Sequence, residues 1–266
     1  MTEILLIILV FLLIILPIAF YFFRKREKPE GKYLERIEVE KFLEESLKDE
    51  KKPVKHFKPK LPDKTILSYK EDKIGFEIEL DSPDNKYLSL LNGGVKAVKD
   101  KNYESALQLF NSMIEDYPND GTGYYCRGVL KNFMRKYKDA IEDLTKSVEL
   151  NFKTHSLYFN RGFARVSLKE YRLAVSDFLA CIDLRENDAE AFYFKGKCLR
   201  NLNQYEEAIT DLSKTILINP LHEAAYFERG MAKINSGQKE SGCADLKTAF
   251  EKGYLQAHHY IKTNCE

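Results

Sequence analysis

Hydrophobic residues along this chain obey three different rules in succession. From Ile4 to Phe23, twenty residues carry no charge. At about 1.5 Å of rise per residue that is roughly 30 Å of helix, the thickness of a bilayer's hydrocarbon core. The pattern predicts a tail of residues 1–3 and a transmembrane helix over 4–23, kinked at Pro17. It ends where Tyr21, Phe22 and Phe23 give way to Arg24, Lys25, Arg26 and Lys28, an aromatic edge next to a basic cluster. Residues 24–86 then carry few apolar side chains, apart from Leu34, Ile37, Phe42, Leu43 and Leu47 in a candidate charged helix. Pro53, Pro59 and Pro62 prevent that helix from continuing, and Ile74, Phe76, Ile78 and Leu80 alternate with polar residues as in a strand or extended arm. Beyond residue 86 apolar residues recur at helical spacing in pairs of segments. Tyr158, Phe159, Phe163 and Val166 are succeeded, after a polar turn, by Tyr171, Ala174, Val175, Phe178 and Ile182. That is the signature of a helix hairpin.

The hairpin repeats. Gly94, Gly128, Gly162, Gly196 and Gly230 recur every 34 residues without insertion or deletion. On the same period lie Ala106, Ala140, Ala174, Ala208 and Gly242, then Tyr103, Tyr137, Tyr171 and Tyr205, with Lys239 in the fifth unit. Phe110, Leu144, Phe178, Leu212 and Leu246 lie four residues after the small residue, and Pro118 and Pro220 close the first and fourth units. This resembles the tetratricopeptide repeat (TPR) family in period and in its small, aromatic and proline positions. A hairpin alone leaves one apolar face bare, so neighbouring units must stack to bury it.

The resemblance implies an all-α fold: a right-handed α-solenoid of about five helix-turn-helix repeats behind a single N-terminal transmembrane helix. The units run 87–120, 121–154, 155–188, 189–222 and 223–254, within a solenoid of 87–266. A capping helix over 255–264 shields the open end from water. In that family the first helices line a concave groove that takes a peptide or a helix of another protein. By position the groove would present Leu91, Tyr125, Phe159, Tyr193 and Phe227, with Val95, Val129, Phe163, Lys197 and Met231 one turn on and Arg200 beside Lys197, so it is apolar early and polar late. Tyr125, Phe159 and Tyr193 are the candidate anchors, because rigid aromatic residues contribute much of the energy at protein interfaces. The same residues also suit plain packing of the inner helix layer. One branch of the family clamps a C-terminal carboxylate with Lys, Asn and Arg. The corresponding positions here are Leu91, Val95, Cys126, Ser156 and Asn160, which disfavours that reading.

A second regularity concerns charge. Arg127, Arg161, Lys195 and Arg229 each precede the repeat glycine, and Asp143, Asp177, Asp211 and Asp245 lie 16 residues later. The first unit has Gly93 and Leu109 instead, so cation and carboxylate are present together or absent together. This predicts a ladder of structural ion pairs.

Composition narrows the remaining possibilities. With 42 Lys plus Arg against 41 Asp plus Glu, the net charge of +1 gives no basic stripe for nucleic acid. The linker over 24–86 holds 17 basic and 16 acidic residues, so it reads as a solvated tether in preference to a docking element. The basic exit from the span predicts an N-terminus outside and a solenoid in the cytoplasm, most simply at a bacterial inner membrane. Only Glu3 precedes the span as a charge, and the exit Ala19-Phe20-Tyr21-Phe22-Phe23 is not a small-residue cleavage site, so cleavage as a signal peptide is not expected. The five cysteines have no metal-site spacing, and no phosphate loop or nucleophile elbow appears. The expectation is therefore a membrane-anchored scaffold that binds protein without catalysis, cofactor, metal or small-molecule substrate; the alternatives are a periplasm-facing protein of envelope assembly and an enzyme built into the solenoid, which would show a cleft of perturbed ionisable groups. A capping helix folded back on the fifth unit would bring Cys243 near Cys265, and a disulfide there would argue for the periplasm.

Overall fold

The 34-residue period predicts where each helix starts, and local hydrogen bonding shows why. In the computed structural model, which describes residues 64–71, 74–81 and 84–266, five helix pairs succeed one another. They are α1 (Asn85–Lys99) with α2 (Tyr103–Asp116), α3 (Gly121–Phe133) with α4 (Tyr137–Glu149), and α5 (His155–Ser167) with α6 (Tyr171–Leu184). Then come α7 (Ala189–Asn201) with α8 (Tyr205–Ile218), α9 (Glu223–Asn235) with α10 (Lys239–Glu251), and a last helix, α11 (Ala257–Asn264). Asp84, Asp120, Thr154, Asp188 and His222 cap the five first helices, each side chain accepting a hydrogen bond from a first-turn backbone amide. The span predicted over 4–23 lies outside the described residues; among those described, no helix is long and apolar enough to cross a membrane.

Each pair closes through a tight turn. Lys101, Arg135, Lys169, Asn203 and Gly237 all adopt positive φ, again 34 residues apart. In the first turn the Lys101 and Asn102 amides donate to the Val98 and Ala97 carbonyls, so the orphan carbonyls at the helix end are satisfied. The small residues act at the crossing. A methyl group on Gly94 would fall 2.3 Å from the Phe110 ring. The fifth pair approaches so closely that a methyl on Gly242 would lie 2.6 Å from the Gly230 carbonyl oxygen, which is why glycine replaces the alanine of the other units.

Stacking buries what each hairpin leaves bare. One apolar cluster joins Leu91, Phe110, Tyr125 and Leu144, a second joins Phe159, Phe178, Phe194 and Leu212, and a third joins Phe227, Leu246, Ala257 and Ile261. The third is the predicted cap: α11 packs on α10 through Ala257 and Ile261, and Cys265 beyond it is disulfide-bonded to Cys243, with 5.7 Å between their Cα atoms. The two cysteines are 22 residues apart, and closing a loop of that size is worth about 3 kcal/mol of denatured-state entropy.

The ion-pair ladder closes inside each repeat. Arg127 and Lys131 hold Asp143, Arg161 and Arg165 hold Asp177, and Arg229 and Lys233 hold Asp245, all at 2.7–2.8 Å. The first guanidinium of each set also reaches back to the preceding repeat, to Asn111, Thr145 or Ser213. It therefore joins three helices. The fourth repeat breaks the pattern, because Leu199 stands where the second cation would be and Leu179 where the back-reaching acceptor would be. Asp211 there keeps Lys195 at 3.2 Å, and its Oδ2 accepts no hydrogen bond.

The strand expected from the alternation at Ile74, Phe76, Ile78 and Leu80 forms, and it has a partner strand that the sequence pattern did not indicate. Residues Lys64–Glu71 (β1) and Ile74–Asp81 (β2) form an antiparallel hairpin with Lys64 opposite Asp81 and Tyr69 opposite Phe76. Its second strand packs on α3 and α5. The charged linker therefore ends in a docked strand and is not a tether throughout: the solenoid supplies the apolar surface that the linker's own composition lacks. Phe76 and Ile78 are 2% and 0% exposed, each burial contributing about 1.5–3 kcal/mol.

Candidate protein-binding groove

The first helices of successive repeats touch one another, α1 to α3, α3 to α5, α5 to α7 and α7 to α9, and so form an inner layer. Every predicted groove residue lies on that layer, at two depths. Leu91, Tyr125, Phe159, Tyr193 and Phe227 are buried, as are Val95 and Val129 at the start of the second row, while Phe163, Lys197, Arg200 and Met231 are half-buried. The deep row packs both within its own repeat and across to the next element. Phe159 meets the Phe178 and Phe194 rings at 5.7 and 5.6 Å, Tyr193 meets His222 at 4.5 Å, and Phe227 meets Tyr254 and Tyr260 at 4.8 and 5.1 Å. Burial also pushes the Tyr193 phenol well above its ordinary range, with the nearby Glu228 carboxylate adding to the effect.

In the fourth repeat the shallow row is polar, before it turns apolar again at Met231. Arg200 Nε donates to Glu228 Oε2 at 2.6 Å, and Lys197 Nζ lies 3.8 Å from the other oxygen. Glu228 is 4% exposed, so its two cations offset a desolvation cost of several kcal/mol. The sequence pattern pointed to Lys197 and Arg200 but not to Glu228. Arg200 and Glu228 occupy the same two repeat positions as Asn132 and Asn160, where Asn132 Nδ2 donates to the backbone carbonyl of Asn160 at 2.9 Å, a bond that no residue type at position 160 announces. One pair of positions thus carries a polar link between repeats twice.

At the N-terminal half β2 covers the layer. The Gly75 carbonyl accepts hydrogen bonds from Asn160 Nδ2 at 3.0 Å, Ser156 Oγ at 3.2 Å and the Tyr125 hydroxyl at 3.3 Å. The Phe76 ring lies 6.0–6.3 Å from those of Phe110, Tyr125 and Phe133. Among the described residues no cluster of three His, Cys, Asp or Glu side chains is placed to hold a metal ion.

A model of the tetratricopeptide repeat matches residues 155–188 and 189–220, the third and fourth helix pairs. The chain carries TPR repeats. A TPR repeat-containing protein of Methanocaldococcus jannaschii is 33% identical over 60 residues, 23% of this chain, and that stretch spans 11% of the relative's length. Among solved structures, YrrB, a TPR protein with an unusual peptide-binding site, superposes with a TM-score of 0.63 at 24% identity. That match covers 67% of this chain and 94% of YrrB. MamA of Desulfovibrio magneticus superposes with a TM-score of 0.60 at 18% identity, over 65% of this chain and 98% of MamA. At these identities the likeness is one of fold. It supports the TPR solenoid and leaves the ligand to be reasoned from the groove itself.

Proposed function

We propose that the chain is a non-catalytic scaffold that captures a peptide or helix of another protein on the inner layer of repeats three to five, held to a membrane by its N-terminal segment. The observation that carries this reading is the half-buried row of Phe163, Lys197, Arg200 and Met231, in which two cations stand between two apolar side chains. Such a surface suits a segment whose apolar end meets Phe163 and whose polar end meets the Lys197, Arg200 and Glu228 cluster. The buried Phe159 and Tyr193 are poor test positions, because truncating them removes core packing along with any contact. The test is crosslinking capture by the membrane-bound full chain, comparing wild type with Phe163→Ala combined with Lys197→Glu. Loss of the captured species at unchanged helicity supports the reading; full retention places the binding surface elsewhere.

The basic exit from the predicted span favours a cytoplasmic solenoid. A second reading, a periplasm-facing scaffold in envelope assembly, is favoured by the Cys243–Cys265 bond, since disulfides persist in oxidising compartments. Labelling of solenoid lysines with a membrane-impermeant reagent separates the two. Protection until the inner membrane is opened supports the cytoplasm, and labelling once only an outer barrier is opened supports the periplasm.

A further inference from the structure

We propose that β2 is an intramolecular ligand: it occupies, in cis, a second binding groove on repeats one to three that accepts extended protein segments. In these a glycine precedes an aromatic and an aliphatic residue two positions apart, as in Gly75, Phe76 and Ile78.

The placement of β2 argues for a ligand and against a simple end cap. A cap would cover the first repeat alone, whereas β2 reaches the first repeat through Phe76 on Phe110 and rests mainly on α3 and α5, the first helices of the second and third repeats. Its recognition is of the kind an extended chain offers. One backbone carbonyl is taken by three side chains from two helices, Phe76 meets a ring of aromatic residues, and Ile78 is buried in the same apolar cluster. Tyr125 and Ser156 are further joined by a 2.8 Å hydrogen bond, so the cradle is organised as a unit.

The occupant is also imperfect. Asn160 is 1% exposed, and its Oδ1 accepts no hydrogen bond. Asn160 meets a backbone carbonyl through its Nδ2 while its acceptor goes unused. A buried acceptor without a donor weakens the complex that contains it. A segment that places a backbone N–H opposite Asn160 as well as a carbonyl would bind better than β2 does. The groove is therefore closed at rest and open to exchange.

The test uses a fluorescent peptide of residues 74–81 in trans and needs no knowledge of the natural partner, so its failure is separate from failure of the scaffold reading. The full chain carrying Phe76→Asp frees the groove and is expected to bind the peptide at least tenfold more tightly than wild type. A peptide carrying the same substitution is expected to bind neither, and Asn160→Ala in the opened chain to lose at least fivefold. Equal peptide binding by wild type and a cooperatively melting Phe76→Asp chain overturns the proposal. Should that variant fail to melt cooperatively, the otherwise wild-type chain with a protease site replacing residues 82–83 is cut and titrated with peptide. Release of the N-terminal fragment supports exchange, and retention at saturating peptide overturns it. A wild-type chain that proves dimeric by light scattering, and becomes monomeric on Phe76→Asp, would move the occupant to a second copy and overturn the cis assignment.

Discussion

Removing the charge of Asp177 should be the most damaging single change in the ion-pair ladder. Its carboxylate is 2% exposed and accepts from Arg161 at 2.7 Å and from Arg165 at 2.7 Å, whose side chains are 12% and 13% exposed. Burial pushes the Asp177 carboxyl upward, opposed by Arg161 and Arg165, so the charge is held there by those two partners alone. Asp177→Asn leaves two nearly buried guanidinium groups without a counter-ion, and breaking a buried pair from one side costs about 3–5 kcal/mol. For a unit of about 200 residues that lowers Tm by on the order of 10 °C. Asp143→Asn should cost less, since Arg127 and Lys131 are 23% and 18% exposed and water relieves part of the loss. Asp211→Asn should cost least, having one cation at 3.2 Å. Urea unfolding monitored by circular dichroism gives the order. Adding Arg165→Met to Asp177→Asn should recover part of the loss by removing one stranded charge. An Asp177→Asn variant within about 1 kcal/mol of wild type, or an Asp143→Asn variant that is worse, would refute the reasoning.

The ladder and the cysteines give two further expected outcomes. Lys195→Arg should stabilise by about 1 kcal/mol in urea unfolding, because a fork can reach both oxygens of Asp211, including the Oδ2 that accepts nothing now; a loss of stability would show that the fourth repeat has no room for the larger head. Thiol titration of the folded chain should find no reactive group. Cys126, Cys181 and Cys198 are buried, burial pushes all three thiols up, Cys198 to about 12, and the remaining two are paired. Denaturant without reductant should expose three thiols and reductant the other two, with α11 losing amide protection once the bond is cut.

What could be read in advance depended on whether a signal was local and repeated. The tyrosines at 34-residue spacing mark the starts of α2, α4, α6 and α8, and the Arg and Asp rows 16 residues apart mark the ion pairs. Both were legible because copies of a local pattern reinforce one another. The turns were less so, since Lys101, Arg135 and Lys169 hold a positive φ that only Asn203 and Gly237 announce by residue type. The docked hairpin was half legible. The alternation at Ile74, Phe76 and Ile78 indicated a strand, but its partners on the solenoid, Tyr125, Ser156 and Asn160, lie 50, 81 and 85 residues away. No local pattern reports contacts at that range, and the charge content of the linker argued for a tether. Depth was equally hidden: Tyr125 and Tyr193 share one repeat position, yet one lies beneath β2 and the other against His222.

The account rests on an extended segment docking against the first helices of this solenoid, and one spectrum tests it. Aromatic nuclear Overhauser effects from Phe76 in the full-length protein in detergent are expected to reach the rings of Phe110, Tyr125 and Phe133, whose centroids lie 6.0–6.3 Å away. A Phe76 ring at unperturbed shifts, with no effects to those three residues, would contradict it.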